Sequence, residues 1–595
     1  MAAPPKAVRT MEECDRILTQ PGAPWEMVER VVHGRTIRVW KNTPPHFRAF
    51  IKTALQKHWD GVWISSPTPS PDPAAYYDRE HFTFGDIYNK AVDLAAWLRG
   101  YGVRQGTRVG LGGANSTGWI VSWVAIHLLG AVPVVLNATL VVEAQIHCLA
   151  KTRPMVVLLD AELAEVLGPH KNILRAKRVG RMYCWESIKH YPTLVKKGVK
   201  VGLIRDVESG AALEDLGPDS DAVIFFTSGT TNMPKAVLST QQAALHNVVS
   251  GSLGGARAVL RKGGDLSMLV PSPKQSAILV AVPMFHVTGS LAWFCRSLNI
   301  GAKCVFMRRW NVGDAINLIQ SENINVIGGV PAIVTAIYQS PSVPKDTKFD
   351  FISYGGAPAA ERMSHDLRSR WPSASIAQGY GMTEANGVHC GISGDDYVSL
   401  GSCTGPPLPI SEVRITHPKT RKVLPPHTMG IIELRGSNIM KCYVGEPATL
   451  DKDGWLNSGD MGMLDDEGWL YIQDRAKDII IRGGENIASA EVENAIALDD
   501  RIAEVAAVPV PCPVMGERVG VAVSLAPGVQ ATEKEIMQVA APRLRSPARP
   551  VIVLVSREPL PRNASGKILK NDVKALVHEM WKRENRTAQY VRAKL

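Results

Sequence analysis

Short apolar runs alternate with helical periods along most of the chain, from about Phe82 onward. This alternation is typical of strands separated by helices, and it predicts a layered α/β architecture. Within the most apolar stretch, a buried helix is predicted over residues 119–129 and a buried strand over residues 132–136. The stretch is long enough to span a membrane, but polar residues, a glycine and a proline interrupt it. We therefore expect no transmembrane segment.

The wider pattern predicts two domains behind a leader. With 595 residues, the chain exceeds the size of one hydrophobic core. Residues 1–75 have the character of a peripheral leader, because the proline-rich run 66–71 is typical of an exposed loop. Farther along, an apolar strand gives way to charged residues. We therefore expect a large domain over 76–473, a hinge over 474–477 and a small α+β domain over 478–595.

A hydroxyl-rich loop follows a strand that is predicted over residues 222–226. Backbone N–H groups and hydroxyls in such a loop can close on phosphate oxygens. The strand, the loop and a helix capped by Thr240 would form the arrangement in which anions are commonly held. In the small domain, Ser489 is likewise predicted to cap a helix. The phosphate loop consists of Thr227, Ser228, Gly229, Thr230, Thr231, Asn232, Met233, Pro234 and Lys235.

A second loop, residues 561–567, carries Lys567 directly after Gly566. A lysine on a glycine-hinged loop can meet a charge that develops only in the transition state. Neither loop is a P-loop of the G-x-x-x-x-G-K-[ST] type, because Lys235 is followed by Ala236 and Lys567 by Ile568. Together the two loops indicate a nucleotide-using ligase rather than a generic ATPase.

Five further motifs occur between these loops in a fixed order. They are the segments 354–358, 378–384, 454–460, 474–478 and 482–486, which read YGGAP, QGYGMTE, GWLNSGD, DRAKD and RGGEN. In this order the chain resembles the adenylate-forming superfamily of acyl-CoA synthetases, aryl-CoA ligases, luciferases and peptide-synthetase adenylation domains. The resemblance implies parallel-rich sheets flanked by helices, a β subdomain in the large domain, and a mobile small domain.

The resemblance also implies roles for the residues of the nucleotide site. The phosphate loop would hold the β- and γ-phosphates of ATP, Thr383 would contact the α-phosphate, and Glu384 would bind Mg²⁺. Asp460 offers two oxygens to the ribose hydroxyls, and Arg475 matches the family's second ribose contact. The adenine ring would stack on the side chain of Tyr380. Its other face would lie against a segment of small residues, which are Gly356, Ala357 and Pro358.

In the same family, the small domain turns about a hinge, which corresponds here to Lys477. Lys567 would then serve acyl-adenylate formation, and Gly483 and Gly484 on another face would admit the pantetheine arm of CoA. His286 aligns with the aromatic residue that closes the acyl pocket in relatives; a buried histidine packed beside Phe285 is the alternative interpretation.

These roles predict an ATP-dependent acid:CoA ligase that works through an acyl-AMP. Two alternatives remain open: a ligase that loads the phosphopantetheine of an acyl-carrier protein, and a luciferase-like oxygenase that shares the motifs. Thr288 stands where hydroxycinnamate-specific relatives tend to carry tyrosine, and residues 328–332 are small. These features favour a fatty acid or a polyketide-type acid over a compact ring.

Charge and cysteine usage exclude other classes. The net charge is +11, but Lys and Arg are scattered and form no basic stripe, so no nucleic-acid partner is expected. The nine cysteines contain no C-x-x-C pair, which indicates reduced thiols in the core rather than zinc.

The chain ends Ala593-Lys594-Leu595, a conservative variant of the peroxisomal S-K-L address, and its N-terminus lacks the apolar run of a signal peptide. We expect the peroxisomal import receptor to bind this tripeptide and the protein to be peroxisomal. If the tripeptide is not a targeting signal, we expect a cytoplasmic protein.

Overall fold

The computed structural model describes most of the chain. The described residues are 7–32, 34–68, 78–186, 201–210, 212–227, 233–269, 274–447, 449–475, 478–483, 485–563 and 566–584. None of the helices in these ranges is both long enough and apolar enough to cross a membrane. The predicted sites at residues 228–231, Lys477, Gly484 and 593–595 lie outside them.

Two large sheets with mostly parallel strands form the centre of the large domain. The seven-stranded sheet contains β5 (Arg108–Gly112), β6 (Val132–Leu136), β7 (Val156–Leu159), β8 (Arg181–Cys184), β9 (Asp221–Thr227), β10 (Lys235–Thr240) and β20 (Cys442–Tyr443), in the order β20-β10-β9-β6-β5-β7-β8. The eight-stranded sheet contains β3 (Val62–Pro67), β4 (Arg79–Thr83), β11 (Ala277–Val280), β12 (Lys303–Phe306), β13 (Val326–Gly329), β14 (Phe351–Gly355), β15 (Ser375–Met382) and β16 (Gly387–Ser393), in the order β16-β15-β14-β13-β11-β12-β3-β4.

Three smaller sheets complete the fold. A ribbon pairs β1 (Met27–Val32) with β2 (Arg35–Trp40). The β subdomain is an antiparallel sheet of β17 (Cys403–Gly405), β18 (Ser411–Thr416), β19 (Gly430–Gly436), β21 (Leu456–Leu464) and β22 (Leu470–Arg475). The small domain contains β23 (Ile480–Arg482), β24 (Glu485–Ile487), β25 (Ile502–Cys512), β26 (Gly516–Leu525) and β27 (Ile552–Ser556).

Helices pack on the faces of these sheets. Those of the large domain are α1 (Met11–Thr19), α2 (Phe47–Lys57), α3 (Phe84–Gly100), α4 (Thr117–Leu128), α5 (Val142–Thr152), α6 (Ala161–Leu167), α7 (Lys171–Ala176), α8 (Val201–Ser209), α9 (Gln241–Ser250), α10 (Leu253–Arg261), α11 (Phe294–Ile300), α12 (Val312–Ser321), α13 (Pro331–Gln339), α14 (Met363–Arg370) and α15 (Gly394–Ser399). Those of the small domain are α16 (Ser489–Ala497), α17 (Glu533–Ala540) and α18 (Lys570–Arg583). The α/β fold class predicted from the sequence is confirmed.

The most apolar stretch folds as predicted. The helix α4 is buried on almost all sides, the chain turns at Gly130 with φ +66°, and β6 continues into the seven-stranded sheet. The core of this region stacks His127 on Phe47, with ring centroids 4.1 Å apart. Both ring nitrogens of His127 are buried and have no hydrogen-bond partner among the described residues. Burial lowers the pKa of His127 to about 3. The cysteines are buried except for Cys442, which is half-buried.

The predicted leader needs correction. Within residues 1–75, β3 forms hydrogen bonds with β12 and β4 inside the eight-stranded sheet, and Ser66 is buried. The boundary at residue 75 is therefore too late, because the first proline of the run is the last residue of a strand rather than part of an exposed loop. Proline is tolerated at a strand end, since fewer ladder hydrogen bonds are lost there.

Two local predictions also differ from the structure. The phosphate loop returns as β10, antiparallel to β9, before Thr240 caps α9, so the local arrangement is a hairpin followed by a helix. The second prediction placed Ser489 at the N-cap of a helix, but Ser489 is the first residue of α16. The N-cap of α16 is Ala488, which makes no side-chain capping bond. The hydroxyl of Ser489 bonds the carboxylate of Asp474 instead, because that buried acceptor lies within reach.

Candidate active site

The adenine and ribose end of the site is built from neighbouring strands of two sheets. Tyr380 lies in β15, and its hydroxyl donates a 2.7 Å hydrogen bond to Oδ2 of Asp460 in β21. Arg475 in β22 is the register partner of Asp460, and its Nε lies 3.6 Å from Oδ1 of Asp460. The structure therefore brings these three predicted residues together.

Close backbone packing supports this end of the site. A Cβ on Gly355 would lie 2.3 Å from the carbonyl oxygen of Gly379, so β14 and β15 approach closely only because a glycine is present. Gly356 has φ +75°, and a Cβ there would meet no atom within 4 Å. The segment of Gly356, Ala357 and Pro358 therefore borders open space, as a surface for a flat ring requires.

The charge of Asp460 links the two domains. Burial raises the pKa of this carboxyl, while Arg475, the Tyr380 hydroxyl and Lys567 of the small domain lower it; the pKa remains above its usual value. The positive charge of Lys567 thus acts on the carboxylate that would bind ribose. A carboxylate in a low-dielectric site interacts more strongly with hydroxyl donors than one in water does.

The loop that carries Lys567 is held from both sides. The backbone N–H of Lys567 donates to Oδ1 of Asn563 at 2.9 Å. Gly566 has φ +83°, and a Cβ there would lie 2.7 Å from Cγ2 of Val330, just after β13 of the large domain. The small domain therefore contacts the large domain directly beside Lys567, and only glycine fits at the contact.

The phosphate and metal end is formed by Glu384, Tyr443 and Lys235. Glu384 is buried, and its Oε1 accepts a 2.6 Å hydrogen bond from the hydroxyl of Tyr443. Burial raises the pKa of Glu384, although the Tyr443 hydroxyl lowers it in part. The Nζ of Lys235 lies 4.9 Å from the centre of the Tyr443 ring and 3.2 Å from Oε2 of Glu446. Thr383 precedes Glu384 at the start of a short 3₁₀ turn.

These residues fit a magnesium site of the kind that substrate phosphates complete. Among the described residues, no group of three His, Cys, Asp or Glu side chains could hold a metal alone. Mg²⁺ needs only one or two carboxylates when phosphates supply further ligands. Glu384 supplies one buried oxygen donor for this purpose.

The predicted acyl pocket is more closely packed than the small residues suggested. A Cβ on Gly328 would lie 2.0 Å from the carbonyl oxygen of Ser353, and one on Gly329 would lie 2.5 Å from Cγ1 of Val282. These glycines allow close packing, so they give no evidence of room for a long acyl chain. The small residues 328–332 therefore no longer support the prediction that the substrate is an aliphatic acid.

His286 packs beside Phe285, with ring centroids 4.9 Å apart. Its Nε2 is buried without a hydrogen-bond partner among the described residues, and burial lowers the pKa of the ring to about 4. The imidazole is therefore neutral near pH 7. A neutral apolar-facing ring suits the wall of an acyl pocket as well as a packed core.

In the small domain, Gly483 has φ +60° and its N–H donates to the carbonyl oxygen of Met515 at 2.7 Å. The positive φ favours glycine at this turn, whereas the 2.5 Å contact that a Cβ would make with Cε of Met515 could be relieved by a shift of that flexible side chain.

Sequence analysis did not predict one group of side chains next to the hinge. We call this group the Lys570 cluster; its members are Lys570, Asp474, Ser489 and Glu493. Ser489 donates from its backbone N–H to Oδ2 of Asp474 at 2.7 Å, and Lys570 lies 2.9 Å from Oε1 of Glu493 and 3.9 Å from Oδ1 of Asp474. Burial lowers the pKa of Lys570, but the two carboxylates raise it more, so the net pKa is above that of an ordinary lysine. The cluster ties the end of β22 to the small domain.

The fold is a two-domain α/β fold, and the candidate nucleotide-binding residues come from both domains. The family model described as "AMP-binding enzyme" matches residues 65–444, and that described as "AMP-binding enzyme C-terminal domain" matches residues 491–567. The chain belongs to the AMP-binding enzyme family, and the superfamily resemblance is confirmed.

Similar proteins include two curated ligases. A 3-[(3aS,4S,7aS)-7a-methyl-1,5-dioxo-octahydro-1H-inden-4-yl]propanoyl:CoA ligase of Rhodococcus jostii (strain RHA1) is 31% identical in an alignment of 517 positions that covers 82% of this chain and 92% of the relative. The 4-coumarate–CoA ligase 3 of Arabidopsis thaliana is 28% identical over 86% of this chain and 89% of the relative. Among solved structures, ATP-bound MatB from Rhodopseudomonas palustris has a TM-score of 0.71 at 24% identity and covers 90% of this chain and 99% of MatB.

Proposed function

We propose that the protein is an ATP-dependent acid:CoA ligase, which forms an acyl-AMP and then a CoA thioester. The observation that carries this proposal is the group of Tyr380, Asp460 and Arg475 in the large domain, with Asp460 within electrostatic range of Lys567 from the small domain. The similar curated proteins named above are CoA ligases, which supports the same conclusion.

In the first half-reaction, an oxygen of the substrate carboxylate forms a bond to the α-phosphorus of ATP, and the bond to the pyrophosphate oxygen breaks. Both partners are anionic, so catalysis depends on positioning and on positive charge. Asp460 and Arg475 would hold the ribose and Tyr380 the adenine, while Thr383 and Lys567 would contact the α-phosphate. Mg²⁺ bound by Glu384 would neutralise charge on the phosphates.

In the second half-reaction, the CoA thiolate attacks the acyl carbonyl and AMP leaves. We propose that the small domain turns at residues 474–477, with Lys477 as the pivot, which withdraws Lys567. Gly483 and Gly484 would then line the path of the pantetheine arm. The positive φ at Gly483 favours a residue without a side chain there, and this supports the role because a thin substrate arm can pass close to bare backbone.

We propose a fatty acid or a polyketide-type acid as the substrate, with a role in fatty acid metabolism or secondary-metabolite biosynthesis. Thr288 in place of an aromatic residue supports this choice. Bulky ring-bearing propanoic acids form the competing class, since the Rhodococcus relative is named for one.

A carboxylate panel tests the proposal. Purified enzyme is given ATP, Mg²⁺ and fatty acids, ring-bearing propanoic acids or hydroxycinnamates, and pyrophosphate release is followed with and without CoA. We expect release that depends on the acid and a thioester product only when CoA is present. Thioester on an acyl-carrier protein but not on CoA would favour carrier loading, and oxygen uptake with light would favour the luciferase-like alternative.

We also propose that residues 593–595 direct the protein to peroxisomes through the import receptor. This proposal rests on the sequence, since the tail lies outside the described residues. An N-terminal fluorescent fusion should coincide with a peroxisomal marker and become diffuse when Leu595 is deleted. A diffuse signal from the intact tail would refute the localisation and leave the ligase proposal unaffected.

A further inference from the structure

Two lysines from distant parts of the sequence bind one carboxylate beside the phosphate loop. Glu446 follows β20, Lys151 lies in the last turn of α5, and Lys235 begins β10. The Nζ of Lys151 is 2.8 Å from Oε1 of Glu446, and the Nζ of Lys235 is 3.2 Å from Oε2. We call these three residues the Glu446 cluster.

The cluster lies at the metal end of the site. Lys235 stacks over the ring of Tyr443, whose hydroxyl bonds Glu384. Tyr443 therefore lies between the ammonium group of Lys235 and the carboxylate that we assign to Mg²⁺. All three side chains of the cluster are partly open to solvent, with 22%, 23% and 31% of the surface of Lys151, Glu446 and Lys235 exposed. An anion from solution can thus reach the lysines.

The charges of the cluster do not balance. Two ammonium groups face one carboxylate, which leaves one positive charge in excess. A phosphate carries more negative charge than a carboxylate and has oxygens at a similar spacing, so it can bridge both lysines as Glu446 does. Lys235 alone would be a single point contact, whereas the pair would hold a terminal phosphate from two sides.

We propose that Lys151 is a second phosphate-binding lysine and that Glu446 competes with the terminal phosphate of ATP, or with released pyrophosphate, for Lys151 and Lys235. This inference rests on the proposed function, because that function places the β- and γ-phosphates beside Lys235. Glu446 then acts as an internal ligand: it keeps the two lysines in position when the phosphate leaves, and it weakens the binding of pyrophosphate. Weaker pyrophosphate binding favours product release after the adenylation step.

The structural alternative makes the opposite prediction for one variant. If Glu446 only ties the segment after β20 to α5 and β10, its removal should loosen the site and weaken phosphate binding. If it competes with phosphate, its removal should strengthen binding. The sign of the change in affinity therefore distinguishes the two interpretations.

The experiment is isothermal titration of the full chain with pyrophosphate and with ATP, each with Mg²⁺, for wild type, Glu446→Gln, Lys151→Met and Lys151→Arg. Loss of one charge-assisted contact should weaken pyrophosphate binding of Lys151→Met about tenfold, and Lys151→Arg should restore most of it. Glu446→Gln should tighten pyrophosphate binding by roughly threefold or more.

A matched control removes another lysine from the same region. The Nζ of Lys441 lies 2.8 Å from Oδ1 of Asp221 and carries the same charge, but it belongs to neither the cluster nor the site. We expect Lys441→Met to bind pyrophosphate as the wild type does. Equal weakening by Lys441→Met and Lys151→Met would show a general charge effect and overturn the inference.

The remaining outcomes separate the inference from the proposed function. Two results would overturn the inference alone, provided that the wild type binds ATP. One is an unchanged affinity of Lys151→Met for pyrophosphate. The other is a weaker affinity of Glu446→Gln for pyrophosphate at an unchanged melting temperature. A wild type that binds neither ATP nor pyrophosphate overturns the proposed function, and the inference with it.

Discussion

Replacing Lys570 by methionine should slow acyl-adenylate formation much more than thioester formation. In the described structure, Lys570 joins α18 to Asp474 at the end of β22, and Ser489 of α16 binds the same carboxylate. The Lys570 cluster therefore holds the small domain in the orientation in which Lys567 acts on Asp460. A turn of that domain about residues 474–477 must break contacts between Asp474 and the small domain, so the cluster favours the adenylation orientation.

The size of the effect follows from what remains after the change. Breaking a buried ion pair commonly costs about 3–5 kcal/mol, because a charge is left without a partner. Here each carboxylate keeps a backbone donor: Ser489 N–H bonds Asp474, and Ala507 N–H bonds Glu493 at 2.9 Å. Lys570 also keeps 22% of its side-chain surface exposed. We therefore expect Lys570→Met to destabilise the adenylation orientation of the small domain by about 2 kcal/mol. This change corresponds to a decrease of roughly 30-fold in the rate of acyl-adenylate formation.

Stopped-flow or quenched measurement of each half-reaction tests this prediction. Pyrophosphate release reports adenylation, and thioester formation from supplied acyl-AMP and CoA reports the second step. Lys570→Arg should retain adenylation because it keeps the charge, and Lys582→Met on the exposed end of α18 should behave as the wild type. An equal loss of rate in both half-reactions, together with a lower melting temperature, would refute the reasoning and leave Lys570 with a purely structural role.

Three further predictions concern single side chains. Lys567→Ala should lower adenylation by about 2.7–4 kcal/mol of transition-state stabilisation, measured as pyrophosphate release, while thioester formation from supplied acyl-AMP continues; equal loss in both steps would contradict its role. Glu384→Gln should raise the Mg²⁺ concentration needed for adenylation, because a neutral amide binds a hard cation poorly, and a normal magnesium titration would show that Glu384 is not the ligand. For His127, the folded-state pKa of about 3 is depressed from 6.5, so the unfolded chain binds more protons between these values and stability falls as pH decreases from 6.5 toward 3. At pH 5 the buried His127 lowers the free energy of unfolding by about 2 kcal/mol. His127→Leu should therefore show a smaller decrease of melting temperature between pH 7 and pH 5 than the wild type. An equal decrease in both proteins would contradict this role of His127.

The features that the sequence predicted correctly are those encoded within a short segment. Continuous apolar runs marked β6 and β9, and Thr240 marked the start of α9, because a strand period or a cap depends on neighbouring residues. The ordered motifs likewise identified Tyr380, Asp460 and Arg475, which the structure brings together.

The features that the sequence did not predict depend on partners far along the chain. Ser489 has the chemistry of an N-cap, but Asp474, fifteen residues earlier, competes for its hydroxyl. Lys151 and Glu446 are separated by 295 residues, and neither lies in a recognisable motif. A local pattern describes which bonds a side chain can make; the tertiary fold decides which acceptor is nearest.

The contact between Gly566 and Val330 has a consequence for engineering the enzyme. Val330 belongs to the segment that the sequence assigns to a predicted acyl pocket, and it also lies beside the loop that carries Lys567. If the pocket assignment holds, we expect a larger or smaller side chain there to alter both how the small domain packs against the large domain and which acid fits. Changes in apparent selectivity at this position will therefore mix substrate fit with domain docking, and the two can be separated only by measuring each half-reaction for each acid.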